Sequence, residues 1–120
     1  MKLLLDAGNT LIKWALLDAD SNWVAHGAVP TEAPESLAVL AQHSPLPRSV
    51  LGTNVAGADV GRRIEHVLAA LPRPTWVRSE ARCCGVVNRY DRPGQLGADR
   101  WAALIGVRAL RQEASLVVTA

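Results

Sequence analysis

The chain opens MKLLLDAGNTLIKWALLD (residues 1–18), and the reading of this stretch decides the fold. Leu3-Leu4-Leu5 is an apolar run that stops at Asp6. Gly8, Asn9 and Thr10 follow, and a second apolar run begins at Leu11. Two short apolar runs separated by turn residues read as two strands of a hairpin. A hairpin turn is satisfied by Asn-Gly or Asp-Gly chemistry. It does not need an acid, an amide and a hydroxyl together, and that surplus polarity points to a ligand. Gly8 lets backbone amides approach a bound group closely. Asn9 and Thr10 supply short hydrogen-bonding arms, and Lys13 adds a positive charge on the second strand. Such parts can cradle phosphate oxygens, with Asp6 near a magnesium ion or its waters, because Mg²⁺ prefers one or two carboxylates plus phosphates and water. The same five residues, D-x-G-N-T, also read as a decorated hairpin without a ligand, and spacing alone does not choose between the two.

Outward from this hairpin, Asp20-Ser21-Asn22 is a turn and Trp23 to Val29 a third strand, which makes a meander. Pro34 suits the first turn of a helix, predicted over Glu35 to His43 and stopped by Pro45 and Pro47. Ser49 to Asn54 reads as a strand. Val60, Ile64, Val67, Leu68 and Leu71 recur at helical spacing. Pro72 and Pro74 close that helix, and Thr75 to Arg78 is a short strand. Ala81 to Val87 fits no single pattern, and Tyr90 to Leu96 reads as a loop. Ala98 to Gln112 is predicted as a helix, and Ser115 to Ala120 as the start of another strand. The predicted order is βββαβαβ, then a helix and one unfinished strand. A meander followed by βα units predicts an α/β fold, a mixed sheet covered by helices. The unfinished strand suggests a fragment.

The bulk properties exclude several classes. A length of 120 residues suits one domain. Apolar residues make up 49% and charged residues 20%, a globular balance. Lys and Arg number 13 against 11 Asp and Glu, and the arginines scatter from Arg48 to Arg111. Nucleic-acid binders cluster such charge in a stripe, so no nucleic-acid partner is expected. No apolar run approaches the ~20 residues of a membrane span, and the N-terminus lacks the apolar core and cleavage site of a signal peptide. A cytoplasmic protein with no membrane partner is expected. Cys83 and Cys84 are adjacent, which strains a direct bridge, and they do not match a zinc spacing. They read as two reduced thiols near a strand.

A second polar constellation runs from Tyr90 through Asp91-Arg92-Pro93-Gly94-Gln95-Leu96-Gly97-Ala98 to Asp99 and Arg100. A Gly/Pro loop leads into a helix whose first turn carries an acid and an arginine. A helix N-terminus offers free amide donors and favours anions, and Arg100 can grip a carboxylate through two parallel hydrogen bonds. The plainer reading is that Asp99 caps the helix and Arg100 is solvated.

Taken together, D-x-G-N-T near residue 6 and Y-x-x-P-x-x-L-G-A-D-R near residue 95 resemble the type III pantothenate kinases. Leu11-Ile12-Lys13-Trp14 after the first motif and Arg100-Trp101-Ala102-Ala103-Leu104-Ile105-Gly106 after the second strengthen the likeness. It covers the whole chain, as the N-terminal half of a longer protein. The resemblance implies the duplicated actin/sugar-kinase/heat-shock-chaperone fold, with two ribonuclease-H-like domains and ATP between them. Residues 1–114 would be the first of these, and residues 115–120 the first strand of the second. It implies transfer of the γ-phosphate of ATP, with Mg²⁺, to the primary hydroxyl of pantothenate, the first step towards coenzyme A. Asp6, Ala7, Gly8, Asn9, Thr10, Leu11, Ile12 and Lys13 would form the first phosphate loop, with Asp6 towards the Mg²⁺ of the nucleotide. Asp99 matches the general base. Tyr90, Gly97, Ala98 and Arg100 match the pantothenate loop, where Arg100 would pair the substrate carboxylate. The family's substrate site lies at a homodimer interface. Its members use a monovalent cation, K⁺ or NH₄⁺, and Thr119 stands near where many relatives carry an acid that helps hold it. This chain departs from the pattern there. The family's second phosphate loop, D-x-G-T-x-x-T, would begin about where Leu116-Val117-Val118-Thr119-Ala120 leads, so residues 1–120 alone are expected to be inactive.

Three other readings compete. Some relatives serve as non-catalytic regulatory accessory factors. Sugar kinases and chaperone ATPases share the superfamily but lack the Tyr90–Arg100 loop. A ribonuclease-H-like nuclease needs several clustered acids for two metals, and the first hairpin offers only Asp6 and Asp18.

Overall fold

The computed structural model describes residues 1–118 of the chain. The chain divides into two compact units, Met1–Trp76 and a second that begins at Val77.

The first unit is built on a five-stranded mixed sheet. Strands β1 (Lys2–Ala7), β2 (Leu11–Leu17) and β3 (Trp23–Pro30) form the antiparallel meander expected from the opening sequence. β4 (Ser49–Asn54) lies parallel to β1, and β5 (Thr75–Trp76) parallel to β4. The spatial order is therefore β3-β2-β1-β4-β5. β1 sits at the centre, paired antiparallel with β2 on one edge and parallel with β4 on the other. Its alternation places Leu3, Leu5 and Ala7 in the core and leaves Lys2 and Asp6 exposed. At the β2–β3 turn, Asp18 Oδ1 accepts the backbone N–H groups of Asp20 and Asn22 at 2.9 Å each. The Asn22 amide is the main reason the Asp18 carboxyl lies below its ordinary range.

One face of this sheet is covered. Leu3, Leu5, Ala7, Ile12, Leu16 and Val50 pack with Leu37 and Leu40 from the 3₁₀ segment Pro34–Gln42. Ile64 of helix α1 (Ala58–Val67), with Leu68 and Leu71 beyond it, completes the cluster. An α-helix was expected over Glu35–His43, but the segment is 3₁₀. Its buried residues Pro34, Leu37 and Leu40 recur every third position, and three residues per turn keeps them on one face. α1 forms within the stretch that the 3.6 period predicts but ends at Val67, so Leu68 and Leu71 follow in the turn beyond it. β5 is shorter than the Thr75–Arg78 expected, since only Thr75 and Trp76 find partners, at Leu51 and Gly52.

In the second unit, the ambiguous stretch Ala81–Val87 is a two-stranded hairpin, β6 (Arg82–Cys83) with β7 (Val86–Val87). A 3₁₀ turn, Pro93–Gln95, interrupts the expected loop. Helix α2 (Ala98–Leu110) then follows, two residues shorter than the Ala98–Gln112 predicted. Its Trp101 is buried. The strand expected over residues 115–120 is corrected for its described part. Residues 115–118 hold no regular structure, and Leu116 and Val118 are exposed. A strand requires a neighbouring edge to bond with, and these residues pair with none among the described residues. Thr119 and Ala120, with the expectations placed on them, lie outside the described residues.

Candidate functional site

The first candidate site lies at the end of the β1–β2 hairpin. Asp6 is the last exposed residue of β1, beside the register partner Lys13 on β2 and the register partner Thr53 on β4. Thr53 Oγ1 donates to Asp6 Oδ1 at 2.9 Å. The central strand thus presents its carboxylate with one oxygen fixed by a neighbour 47 residues away in sequence. The turn itself is tightly tied. Gly8 N–H donates to the Leu11 carbonyl at 2.9 Å, and the Gly8 carbonyl accepts Thr31 Oγ1 at 2.6 Å. Thr31 N–H also donates to the Thr10 carbonyl at 3.0 Å. Gly8 is needed for close approach: a Cβ there would meet the Leu11 carbonyl oxygen at 3.2 Å. Its amide is committed to the turn, so the arms exposed to a ligand are those of Asn9, Thr10 and Lys13. Ala7 and Ile12 are fully buried in the core; they can serve a ligand only through their backbone. Leu11 is partly exposed at the turn.

Beside Asp6 and Lys13, on the sheet face opposite the core, runs a groove of about 550 Å³. Leu4, Trp23 and His26 line it. Trp23 and His26 meet edge-on, with ring centroids 5.5 Å apart. Among the described residues, no group of three His, Cys, Asp or Glu side chains is arranged to hold a metal ion.

The second candidate site is local to the second unit. Its loop is held by side chains rather than by a ladder. Asn88 Oδ1 accepts the Tyr90 N–H at 3.0 Å, and Asn88 Nδ2 donates to the Pro93 carbonyl at 3.1 Å. The Asn88 N–H donates to the Ala81 carbonyl at 2.8 Å, and the Ser79 hydroxyl donates to the Leu96 carbonyl. Gly97 precedes α2 as its cap residue and has no side chain to offer. No side chain caps this helix start. Asp99, the second residue of α2, accepts the Arg100 N–H on Oδ1 at 2.8 Å, and its side chain is exposed. A pocket of about 370 Å³ joins Asn88, Arg89, Tyr90, Leu96, Arg100 and Leu104. Of the residues singled out from sequence, Tyr90 and Arg100 line it; Gly97, Ala98 and Asp99 stand at the adjoining helix start.

Thr53, Thr31, Asn88 and Ser79 were not read from the sequence as site residues. Thr53 had one legible signal: it lies near the polar C-terminal end of a strand predicted beside other strands, where open α/β sheets bind ligands. Asn88 had none, because its role depends on the path of the loop.

Comparison with known proteins bears on both sites. The family model for type III pantothenate kinase matches residues 2–120. A type III pantothenate kinase of Aromatoleum aromaticum is 49% identical over 121 residues, covering 100% of this chain and 50% of that protein. One from Dechloromonas aromatica is 46% identical over 121 residues, with the same coverage of 100% and 50%. One from Burkholderia vietnamiensis is 45% identical over 120 residues, covering 97% of this chain and 45% of its own length. The chain spans about half the length of the curated relatives it matches. The mixed sheet agrees with the actin-like ATPase fold of that family. With the match running from residue 2 to residue 120, the chain belongs to the type III pantothenate kinase family.

Proposed function

We propose that the full-length protein transfers the γ-phosphate of ATP to pantothenate, giving 4′-phosphopantothenate at the start of coenzyme A synthesis. The observation that carries this reading is the pocket joining Tyr90 and Arg100 at the helix whose first turn holds Asp99. A carboxylate-bearing alcohol needs a cation for one end and a proton acceptor for the other. Arg100 and Asp99 are adjacent and supply the two. Arg100 takes the pantothenate carboxylate through a bidentate pair. Asp99, with Oδ1 engaged by the Arg100 N–H, takes the hydroxyl proton as the phosphoryl group arrives. Tyr90, Gly97 and Ala98 shape the loop around the substrate.

Asp6 to Lys13 receive the nucleotide phosphates. Phosphoryl transfer is mainly positioning and charge stabilisation, and this hairpin offers both. Thr53 fixes one oxygen of Asp6, and Lys13 brings positive charge across the β1–β2 register. Asp6 as a lone carboxylate fits Mg²⁺ held mostly by phosphate and water. Bound there, Mg²⁺ would supply charge neutralisation for the transferring phosphate. We further read residues 1–114 as the first ribonuclease-H-like domain. The protein would work in the cytoplasm as a homodimer with the substrate site at its interface, and use K⁺ or NH₄⁺. The test is direct. Full-length protein with MgATP and pantothenate should form ADP and phosphorylated pantothenate in equal amounts. ADP without phosphorylated pantothenate, or no turnover, overturns the reading.

A further inference from the structure

We propose that Cys83 and Cys84 form a preorganised dithiol site that chelates a trivalent organoarsenical through both sulfurs. Cys83 ends β6 and Val86 starts β7, so Cys84 and Gly85 are the two residues of the hairpin turn. Both have left-handed backbone, with φ of 55° and 81°. A type I′ turn requires positive φ at both central positions. Gly85 adopts it freely, whereas a cysteine seldom does.

This turn changes what adjacency means. Successive side chains in a strand point to opposite faces, which would separate the two sulfurs. Cys84 has left the strand, and its Sγ lies 3.0 Å from that of Cys83. Cys84 is exposed and Cys83 partly so, and both are free thiols. The neighbouring Cys84 sulfur holds the Cys83 thiol above its ordinary range. Cys83 is therefore protonated at neutral pH.

The chemistry of the ligand follows from the geometry. A direct S–S bond is resisted, because adjacent Cα atoms across a trans peptide are ~3.8 Å apart, short of the ~4.4 Å at which disulfides begin. An atom inserted between the sulfurs lengthens the bridge and relieves that constraint. Structural zinc needs four ligands, and no third His, Cys, Asp or Glu joins the pair among the described residues. A soft centre satisfied by two protein sulfurs fits what is present. With phenylarsine oxide, two As–S bonds form while both S–H bonds and the As–O bond break. The oxygen leaves as water with both thiol protons, and arsenic stays trivalent. No oxidant or reductant enters.

The site stands apart from the kinase reading, and so does its test. Full-length protein treated with phenylarsine oxide in excess β-mercaptoethanol should keep one adduct by intact mass, removed by 2,3-dimercaptopropanol. The second sulfur acts at high effective concentration, so Cys83→Ser and Cys84→Ser should each weaken capture roughly 10²–10⁴-fold and lose that adduct. Gly85→Val keeps both thiols but opposes the left-handed turn, and should also weaken capture. Retention of the monothiol-resistant adduct by either serine variant overturns the site. Unchanged capture by Gly85→Val overturns its preorganisation.

Discussion

The β1–β2 turn and the loop that carries Tyr90 are both short and polar, yet they are held in different ways. The turn hangs between strands whose register continues from Lys2↔Leu17 to Ala7↔Ile12. Its position is fixed by a buried sheet, and Thr31 and Thr53 only trim it. The Tyr90 loop follows a hairpin of two-residue strands. There, single side chains do the holding: Asn88 ties Tyr90 to Pro93, and Ser79 ties Leu96. On the proposed function the difference has a reason: phosphate is common to every ATP-dependent reaction and suits a rigid backbone cradle, whereas an alcohol substrate is particular and suits a loop fixed by a few side chains.

The sharpest test of this comparison is at Asp99. Asp99→Asn keeps an oxygen to accept the Arg100 N–H but cannot take a proton. If Asp99 serves only to accept the Arg100 N–H in the first turn of α2, this variant should behave like the wild type. If it is the base, turnover of the full-length enzyme should fall by roughly 10²–10⁴-fold with ATP affinity unchanged. Turnover within about threefold of wild type would leave Asp99 only that local bond.

Next in size is Arg100→Lys, which keeps the charge and loses the planar fork. A hydrogen bond to a charged group is worth about 1.5–3 kcal/mol, or roughly 10–100-fold. The pantothenate KM should rise by that factor, and the ATP KM should stay put. Pantetheine lacks the carboxylate and should be insensitive. A pantothenate KM at the wild-type value would remove Arg100 from substrate binding.

The same contrast explains what the sequence revealed. β1, β2, β3 and β4 were legible because apolar runs bounded by turn residues specify a sheet locally. α1 was legible because Val60, Ile64 and Val67 keep the helical period. The stretch Pro34–Gln42 was placed correctly and given the wrong helix, since a three-residue period over nine residues lies close to 3.6. The β6–β7 hairpin escaped because two-residue strands carry no periodicity, and Cys84 is an unusual residue for its turn. The motif residues Asp6, Asp99 and Arg100 were visible as surplus polarity. Their supports, Thr53 and Asn88, were not, because each acts through a contact that only the folded path creates.

Those two supports give the smallest and most discriminating test. Thr53→Val removes the hydroxyl that fixes Asp6 Oδ1 and preserves β-branched shape within β4. Asn88→Ala removes both side-chain bonds that fix the Tyr90 loop. One hydrogen bond is worth about 0.5–1.5 kcal/mol. If the backbone holds the phosphate turn, Thr53→Val should weaken ATP binding only a few-fold by calorimetry. Asn88→Ala breaks two bonds in a loop with no ladder behind it. It should raise the pantothenate KM about tenfold or more and leave ATP affinity alone. Asn88→Asp keeps the acceptor for the Tyr90 N–H while losing the donor to Pro93, so it should recover part of that loss. A purely structural role for Asn88 would depress both substrates together. Equal effects of Thr53→Val and Asn88→Ala on their own ligands would show that the two loops are held alike.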